Sequence, residues 1–179
     1  MGDTRVPIIE TCVITRISIA SRPIDVFKYL VNLKYHLIWI PHLQSISPLT
    51  KLKLGTVYKS TILLLGLIKV NGQNLVTKLV PDRELAIENK IGPLQYNVRW
   101  FLRPKNDSTI LICTAHVTAD MHTFGFVSPE LNHLVRTELR TELRSLKKLV
   151  EHGGVEPKKP PAGLFVDSSE APLKKHGGA

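Results

Sequence analysis

The chain contains only two cysteines, Cys12 and Cys113, among its 179 residues. Cysteines this far apart form neither a disulfide framework nor a metal motif, which needs close ligand spacing. Both lie in strand-like apolar segments, where a free cysteine behaves as a small buried hydrophobe. We therefore predict a reduced, cytoplasmic protein. If the first and last strands pair, the two thiols become neighbours, although we do not expect a disulfide between them.

Long hydrophobic runs are also absent. The longest, residues 62–68, is far shorter than the ~20 apolar residues that a membrane-spanning helix needs. Near the N-terminus, Arg5, Glu10 and Arg16 interrupt the apolar residues, which argues against a signal peptide. We therefore expect a chain that does not cross a membrane.

Sequence signatures of catalysis and of nucleic-acid binding are missing as well. The sequence has no Ser-His-Asp arrangement, no Gly-rich phosphate loop and no basic block with interleaved aromatic residues. Its seven histidines are scattered without the spacing of metal ligands, among them His36, His42, His116, His122 and His133. We predict no metal, no cofactor and no nucleic-acid partner. An enzyme that uses a single pocket tyrosine or histidine as its acid–base group stays open.

What the sequence does have is an excess of basic residues, with 24 Lys and Arg against 15 Asp and Glu and a net charge of +9. Arg136, Arg140 and Arg144 recur every fourth residue, and we place this basic stripe on the outer side of a helix, partly paired with Glu138 and Glu142. The simplest interpretation is a solvated basic face. Peripheral contact with an anionic membrane surface is the alternative.

The first third of the chain predicts a strand followed by two short helices. Residues 9–20 are β-branched and alternate in polarity, as strands do. Ser21 and Pro23 are typical of a helix start, and the apolar face of this helix extends to Asn32. A second helical piece covers residues 34–40, before Pro41 and the strand region.

The middle of the chain predicts about six antiparallel strands separated by turn residues. Asn71-Gly72 could itself form a hairpin turn and split one of them. The predicted strands are residues 43–49, 55–65, 68–79, 84–90, 94–102 and 109–121.

A long amphipathic helix is predicted from Ser128-Pro129-Glu130 to Gly153-Gly154. Because its apolar stripe needs a partner, the helix must lie on the concave face of the sheet. Residues 153–179 are rich in Pro, Lys and Gly, so we predict a disordered tail after a single α+β domain of residues 1–152. The tail holds one apolar island, residues 163–166.

Four short segments, taken in order, resemble the Bet v 1-like, or START-like (SRPBCC), superfamily, and most of all its polyketide cyclase/dehydrase and lipid-transport branch. Each segment is weakly specific alone, and together they cover residues 9–151. Ser108 stands where the family usually has glycine. The segments are Ile17-Ser-Ile-Ala-Ser-Arg-Pro-Ile-Asp-Val-Phe-Lys-Tyr-Leu30, Trp39-Ile-Pro41, Lys78-Leu-Val-Pro-Asp-Arg-Glu-Leu85 and Ser108-Thr109.

This resemblance implies a helix-grip fold, in which a seven-stranded antiparallel sheet wraps around the long C-terminal helix, with two short helices after strand 1. It also implies a cavity between sheet and helix. Members of the superfamily bind lipids, sterols, quinones, polyketides or plant hormones there, and a minority catalyse cyclisation or dehydration. A shared fold does not fix the function, which must be argued from the site.

Alternation along the predicted strands indicates which side chains face the cavity. In the last two strands we turn the uniformly apolar faces inward, so that His116 points outward. Tyr96 and Trp100 would each place one polar atom near a ligand, or else fill the core. Trp39 is assigned to packing between the short helices. The predicted cavity-lining residues are Tyr58, Leu63, Leu65, Tyr96, Val98, Trp100, Leu111, Cys113, Ala115 and Val117 from the sheet, and Leu131, Val135 and Leu139 from the last helix.

Three functions are compatible with these patterns. The first is a carrier or binding protein for a hydrophobic small molecule such as a lipid, a quinone or a polyketide-like compound. The second is an aromatase/cyclase or dehydratase that acts on a polyketide-like substrate, which an inward-facing histidine or acid would favour. The third is an interaction module with a vestigial cavity, which a cavity filled by Tyr96, Trp100 and Phe101 would favour.

Overall fold

The computed structural model describes residues 8–64, 68–91, 94–120 and 128–153. It has the predicted α+β helix-grip architecture. Strand β1 (Ile8–Ile19) leads into helices α1 (Pro23–Val31) and α2 (Leu33–Trp39). The remaining elements are β2 (Leu43–Ser47), β3 (Val57–Leu64), β4 (Ile68–Val80), β5 (Glu84–Ile91), β6 (Leu94–Lys105), β7 (Ser108–Asp120) and the long helix α3 (Ser128–Glu151).

All the strands join one seven-stranded antiparallel sheet in the order β1-β7-β6-β5-β4-β3-β2. Strands β2 to β7 pair with their neighbours in the sequence, whereas β1 pairs along its whole length with β7. Asn71-Gly72 lies inside β4, opposite Ser60 and Thr61 of β3, so the alternative hairpin turn at this site does not form. The predicted tail and its apolar island lie outside the described residues.

The register of β6 and β7 agrees with the predicted alternation. Val98, Trp100 and Leu111 are buried, whereas His116 is exposed on the opposite face. In the described part of the chain, no helix is both long and apolar enough to span a membrane.

The two cysteines lie on opposite faces of the sheet. Cys113 is fully buried, whereas Cys12 is exposed, with its Sγ 3.6 Å from Nε2 of His116 on the neighbouring strand. The prediction that both thiols are buried is therefore wrong for Cys12, because the alternation of β1 places this residue on the solvent side with Glu10 and Ile14. Both cysteines are free, since side chains on opposite faces of a sheet cannot form a disulfide.

Helix α1 begins at Pro23, and its N-cap is Arg22 without a side-chain cap hydrogen bond, so the prediction of Ser21 as the cap is wrong. The carbonyl of Ser21 instead accepts a hydrogen bond of 2.7 Å from the buried hydroxyl of Thr109 at the start of β7. Helix α2 is capped by the Asn32 side chain, which accepts from the backbone N–H of Lys34. The Ser21–Thr109 hydrogen bond thus ties the segment before α1 to the sheet, and the Asn32 cap fixes the start of α2.

Helix α3 runs along β1 and is held to it near both ends. The Asn132 amide donates to the hydroxyl of Thr11 at 2.7 Å, and Nζ of Lys147 donates to the carbonyl of Ser18 at 2.6 Å. In the last turn, the Glu151 carboxylate accepts from the backbone N–H of Ala20 at 2.6 Å. The apolar stripe of α3 thus covers the β1–β7 half of the concave face.

The fully buried Leu146 of α3 tests how much this packing contributes to stability. Leu146→Ala should lower the free energy of unfolding by about 2–5 kcal/mol, because it removes buried methyl groups and leaves a cavity. Leu54→Ala, which alters a leucine that is 67% exposed, is the matched control and should change stability by less than about 0.5 kcal/mol. Urea titration of both variants measures the difference, and equal effects would show that α3 does not depend on this contact.

Candidate functional site

A cavity of about 200 Å³ lies on the other half of the concave face, between β3–β6, helix α2 and one side of α3. Its wall is mainly apolar, with a minority of polar side chains. The apolar lining residues are Ile40, Leu43, Ile46, Ile62, Leu63, Ile87, Leu94, Val98, Trp100, Val117, Leu131, Leu134 and Val135. The polar ones are His36, His42, Tyr58, Ser60, Asn74, Asn89, Tyr96, Glu138 and Glu142.

Eight of the residues predicted to line the cavity do so: Tyr58, Leu63, Tyr96, Val98, Trp100, Val117, Leu131 and Val135. Leu65 lies outside the described residues. The other four are buried in the packed core and do not line the free space: Leu111, Cys113, Ala115 and Leu139. Of the β7 residues predicted to line the cavity, Val117 near the end of the strand does so, whereas the three earlier ones are enclosed by other core side chains.

The cavity wall on β3, β4 and β5 carries an amide network that sequence analysis missed. The Asn74 amide donates to the backbone carbonyl of Tyr58 at 3.2 Å and to the hydroxyl of Ser60 at 3.0 Å, and its oxygen accepts from Asn89. The Asn89 oxygen itself has no hydrogen-bond partner among the described residues. This wall therefore holds its own polar groups in place and leaves one acceptor unused.

On α2, His36 is buried, and its Nε2 lies 2.7 Å from the carbonyl of Leu30. Because a carbonyl only accepts, Nε2 carries the proton and Nδ1 holds the lone pair. Burial lowers the pKa of His36 to about 4, so the imidazole is neutral at physiological pH.

The rings of His36, Trp39 and Trp100 form a chain of edge-to-face contacts, with centroid distances of 5.1 and 6.4 Å. Trp39 is fully buried, in keeping with its predicted packing role. Neither Nε1 of Trp39 nor Nε1 of Trp100 has a hydrogen-bond partner in the part of the chain that the structure describes.

The main correction concerns Glu138 and Glu142, which were predicted to lie outside and pair with arginines. Both line the cavity. The physical reason is helical spacing: Glu138 and Glu142 follow Leu131 and Val135 at intervals of three and four residues, on the same face of α3. This spacing is visible in the sequence, but the inward face of the helix was assigned from its apolar residues alone.

The carboxyl group of Glu142 forms no hydrogen bond or ion pair with any described residue. Burial raises its pKa to about 8, and the neighbouring Glu138 adds to the effect, so Glu142 is protonated at neutral pH. Its proximity in turn helps to raise the pKa of Tyr96 and of Cys113, although burial is the larger cause for both.

Glu138 lies nearer the surface, where one of its oxygens is 3.4 Å from Nε2 of His42. With both glutamates turned away, Arg140 and Arg144 have no ion-pair partner within the described ranges. They are exposed and border a groove between α3 and residues 14–17 of β1. The basic stripe is therefore on the outer side, as predicted, but without the predicted pairing.

Residues that could hold a metal are not gathered at this site. Among the residues that the structure describes, no group of three or more His, Cys, Asp or Glu side chains could bind a metal ion. The side chains around the cavity offer hydrogen bonding, apolar contact and proton transfer.

Comparison with solved structures shows the fold. A START superfamily protein from Mycobacterium smegmatis matches with a TM-score of 0.69 and 14% identity, over 79% of this chain and 97% of that one. The Zhui aromatase/cyclase from Streptomyces sp. R1128 matches with a TM-score of 0.65 and 17% identity, over 82% and 99%. A truncated norcoclaurine synthase from Thalictrum flavum matches with a TM-score of 0.62 and 14% identity, over 82% and 97%.

No protein-family model and no curated protein sequence matches the chain. The structural matches nevertheless show that the chain has the START-like, Bet v 1-like helix-grip fold.

The half-buried Glu142, whose carboxyl group faces the cavity, should make stability depend on pH. Its folded-state pKa of about 8 exceeds the unfolded value of 4.5, so between these values the folded state holds a proton that the unfolded state has released. Folding stability should therefore fall as pH rises through this window, by about 3–5 kcal/mol in total. Glu142→Gln, which cannot ionise, should remove this loss.

Urea unfolding at pH 5, 7 and 9 checks the expectation. The difference between wild type and Glu142→Gln should widen as pH rises, and the variant should be the more stable protein at pH 9. Glu88→Gln changes an exposed glutamate on β5 and should keep the wild-type slope. Parallel curves for wild type and Glu142→Gln would contradict the assignment of a protonated, buried carboxyl group.

Proposed function

We propose that the chain binds one hydrophobic small molecule in the cavity between α2, α3 and β3–β6, as a carrier or binding protein. The observation that supports this most strongly is the cavity itself, with 13 apolar and nine polar lining residues. Such a composition is typical of ligand sites, in which apolar contact supplies affinity and a few polar groups fix orientation.

The size of the cavity favours a compact ligand. An apolar cavity of about 150 Å³ accepts benzene, and sites for drug-sized molecules begin at about 300 Å³. At about 200 Å³, this cavity suits a molecule of one or two rings better than a lipid with two acyl chains. Among the predicted ligand classes, we therefore favour a quinone or a polyketide-like ring compound.

The interaction module with a vestigial cavity loses its support. That function required Tyr96, Trp100 and Phe101 to fill the space. Tyr96 and Trp100 line free volume instead, and Phe101 lies on the other face, where its ring is 5.9 Å from the guanidinium of Arg83.

Native mass spectrometry of protein purified without detergent, followed by organic extraction, tests the binding function. A bound apolar molecule should appear at about one per chain. Leu134→Trp should abolish binding, because the indole would occupy the space that Leu134 lines. Thr137→Trp places the same ring on an exposed position of the same helix and should leave binding intact.

An empty protein can still be tested with the neutral fluorescent probe N-phenyl-1-naphthylamine. Uptake by wild type and by Thr137→Trp, but not by Leu134→Trp, would support the cavity as the binding site. Failure of the wild-type protein to take up the probe would refute the proposal.

A specific observation also favours the second candidate, an aromatase/cyclase or dehydratase. Inward-facing acid groups were the feature expected of such an enzyme, and Glu138 and Glu142 both face the cavity. Cyclisation and dehydration of a polyketide-like chain require proton transfer at a carbon beside a carbonyl group. A protonated Glu142 would act as general acid, and the Glu138–His42 pair at the surface end would act as base.

Proton transfer of this kind can be measured without knowing the substrate. If the second candidate holds, the protein should accelerate hydrogen–deuterium exchange next to the carbonyl of 1-tetralone in D₂O, followed by NMR. Glu142→Gln should slow this exchange at least about tenfold, since positioned acid–base groups contribute about 10²–10⁴-fold. Glu88→Gln should leave it unchanged. Exchange no faster than in buffer would refute the enzyme and leave the binding function standing.

A further inference from the structure

Several polar groups of the cavity have a hydrogen to donate and no hydrogen-bond partner. Nε1 of Trp100 has no partner among the described residues. The hydroxyl groups of Tyr58 and Tyr96 form no hydrogen bond there either, and burial raises the pKa of both, so each keeps its proton. Two acceptors there also lack a partner among the described residues: the oxygen of Asn89 and Nδ1 of His36.

Glu142 adds a fourth donor. Its carboxyl group faces an apolar wall, has no cation or hydrogen-bond donor within the described part of the chain, and is next to a second carboxyl group on Glu138. Ionisation in such a place is costly, because burial and a like charge both disfavour the charged form. The protonated carboxyl group then has an O–H group that can donate a hydrogen bond to a ligand in the cavity.

These groups discriminate between ligand classes by charge. An anionic ligand is disfavoured, since no Lys or Arg is among the lining residues of the described cavity and two carboxyl groups are. An ammonium ligand is disfavoured for a different reason. It would gain a counter-charge at Glu142 only if this carboxyl group ionised, against the burial and the neighbouring Glu138 that raise its pKa.

We propose that the ligand is an uncharged ring compound with a carbonyl oxygen, and that this oxygen accepts a hydrogen bond from the carboxyl group of Glu142. This inference rests on the proposed binding function and specifies its chemistry. A carbonyl oxygen has two lone pairs, so Tyr58, Tyr96 or Trp100 can supply a second donor. Glu142 is a positioning and specificity-determining residue in this role, whether or not chemistry follows.

A dependence of affinity on pH follows, because Glu142 donates only while it is protonated. The other titratable groups around the cavity are His36 and His42 at the α2 end, Tyr58 on β3, Tyr96 on β6, Cys113 on β7 and Glu138 on α3. The pKa of His36 is lowered by burial and those of Tyr58, Tyr96 and Cys113 are raised, so none of these four changes charge between pH 6.5 and 9.5. The variant Glu138→Gln tests whether the Glu138–His42 pair, rather than Glu142, causes the pH dependence of affinity.

Three bicyclic probes of matched shape test the ligand class: 1-tetralone with a carbonyl, tetralin without one, and 1-aminotetralin with an ammonium group. Displacement of N-phenyl-1-naphthylamine measures their affinities. At pH 6.5, wild type should bind 1-tetralone at least about tenfold more tightly than the other two, as expected for one satisfied hydrogen bond to a buried acid. At pH 9.5 the affinity for 1-tetralone should be about tenfold or more weaker, and that for tetralin unchanged.

Variants of Glu142 separate hydrogen bonding from shape. Glu142→Gln keeps an N–H donor but cannot ionise, so it should bind 1-tetralone equally at both pH values. Glu142→Met removes the donor at similar volume and should bind 1-tetralone and tetralin alike. Glu138→Gln should keep a pH dependence, with its midpoint at lower pH because the like charge that helps to raise the pKa of Glu142 is gone. Thermal unfolding at pH 6.5 confirms that each variant is folded before its affinities are compared.

The outcomes distinguish this inference from the function on which it rests. If the fluorescent probe fails to bind the wild-type protein at either pH, the binding function itself fails. If the probe binds but tetralin or 1-aminotetralin matches 1-tetralone, the cavity binds apolar molecules and the carbonyl assignment is wrong. A pH dependence that survives in Glu142→Gln would likewise remove Glu142 from the role.

Discussion

One amphipathic helix has to cover the concave face of a seven-stranded sheet, and it is too narrow to do so. The structure responds by fastening α3 along β1, through Asn132, Lys147 and Glu151, so that leucines such as Leu139 and Leu146 pack on the β1–β7 half. Helix α2 lies over the other half of the concave face, with free space between this helix and the sheet. The cavity is thus a geometric result of where the helix is attached, and the site follows from that attachment.

The side of α3 that overhangs the free space differs from the side that packs. Leu139 and Leu146 contribute to stability by burial, whereas Glu142 lowers stability at alkaline pH because its half-buried carboxyl group faces a mainly apolar cavity beside Glu138. His36 acts in the opposite pH direction: its lowered pKa means that stability is lost as pH falls from about 6.5 towards 4. Two polar side chains around one cavity therefore restrict the pH range of greatest stability, as is typical of groups kept for binding or reaction.

Much of the fold could be predicted from the sequence because alternation and helical spacing are strong signals. The faces of β6 and β7 followed from apolar alternation, and α3 from its leucines and terminal residues. The side of the sheet on which free space remains could not be predicted, because it depends on where α3 docks. For that reason Leu111, Cys113 and Ala115 were assigned to the cavity together with Val117, although they are packed in the core and Val117 alone of the four lines the free space.

The polar part of the site was missed for a different reason. Glu138 and Glu142 were placed outside because acids on an amphipathic helix usually face water, and near arginines they usually pair. Their register with Leu131 and Val135 was available in the sequence and should have outweighed that expectation. Asn74 and Asn89 offer no such signal, because their network depends on the pairing of β3, β4 and β5.

The pairing of β1 with β7 and α3 also affects how the chain folds during its synthesis. The first strand finds its neighbour about a hundred residues later, and the Glu151 contact with Ala20 spans 131 positions. Contacts this distant give a high contact order, which slows folding. While the ribosome is still making the middle strands, β1 has no partner in the nascent chain. Its apolar face must then stay exposed until the last strand and helix emerge, which makes this interval the one in which molecular chaperones have most to protect.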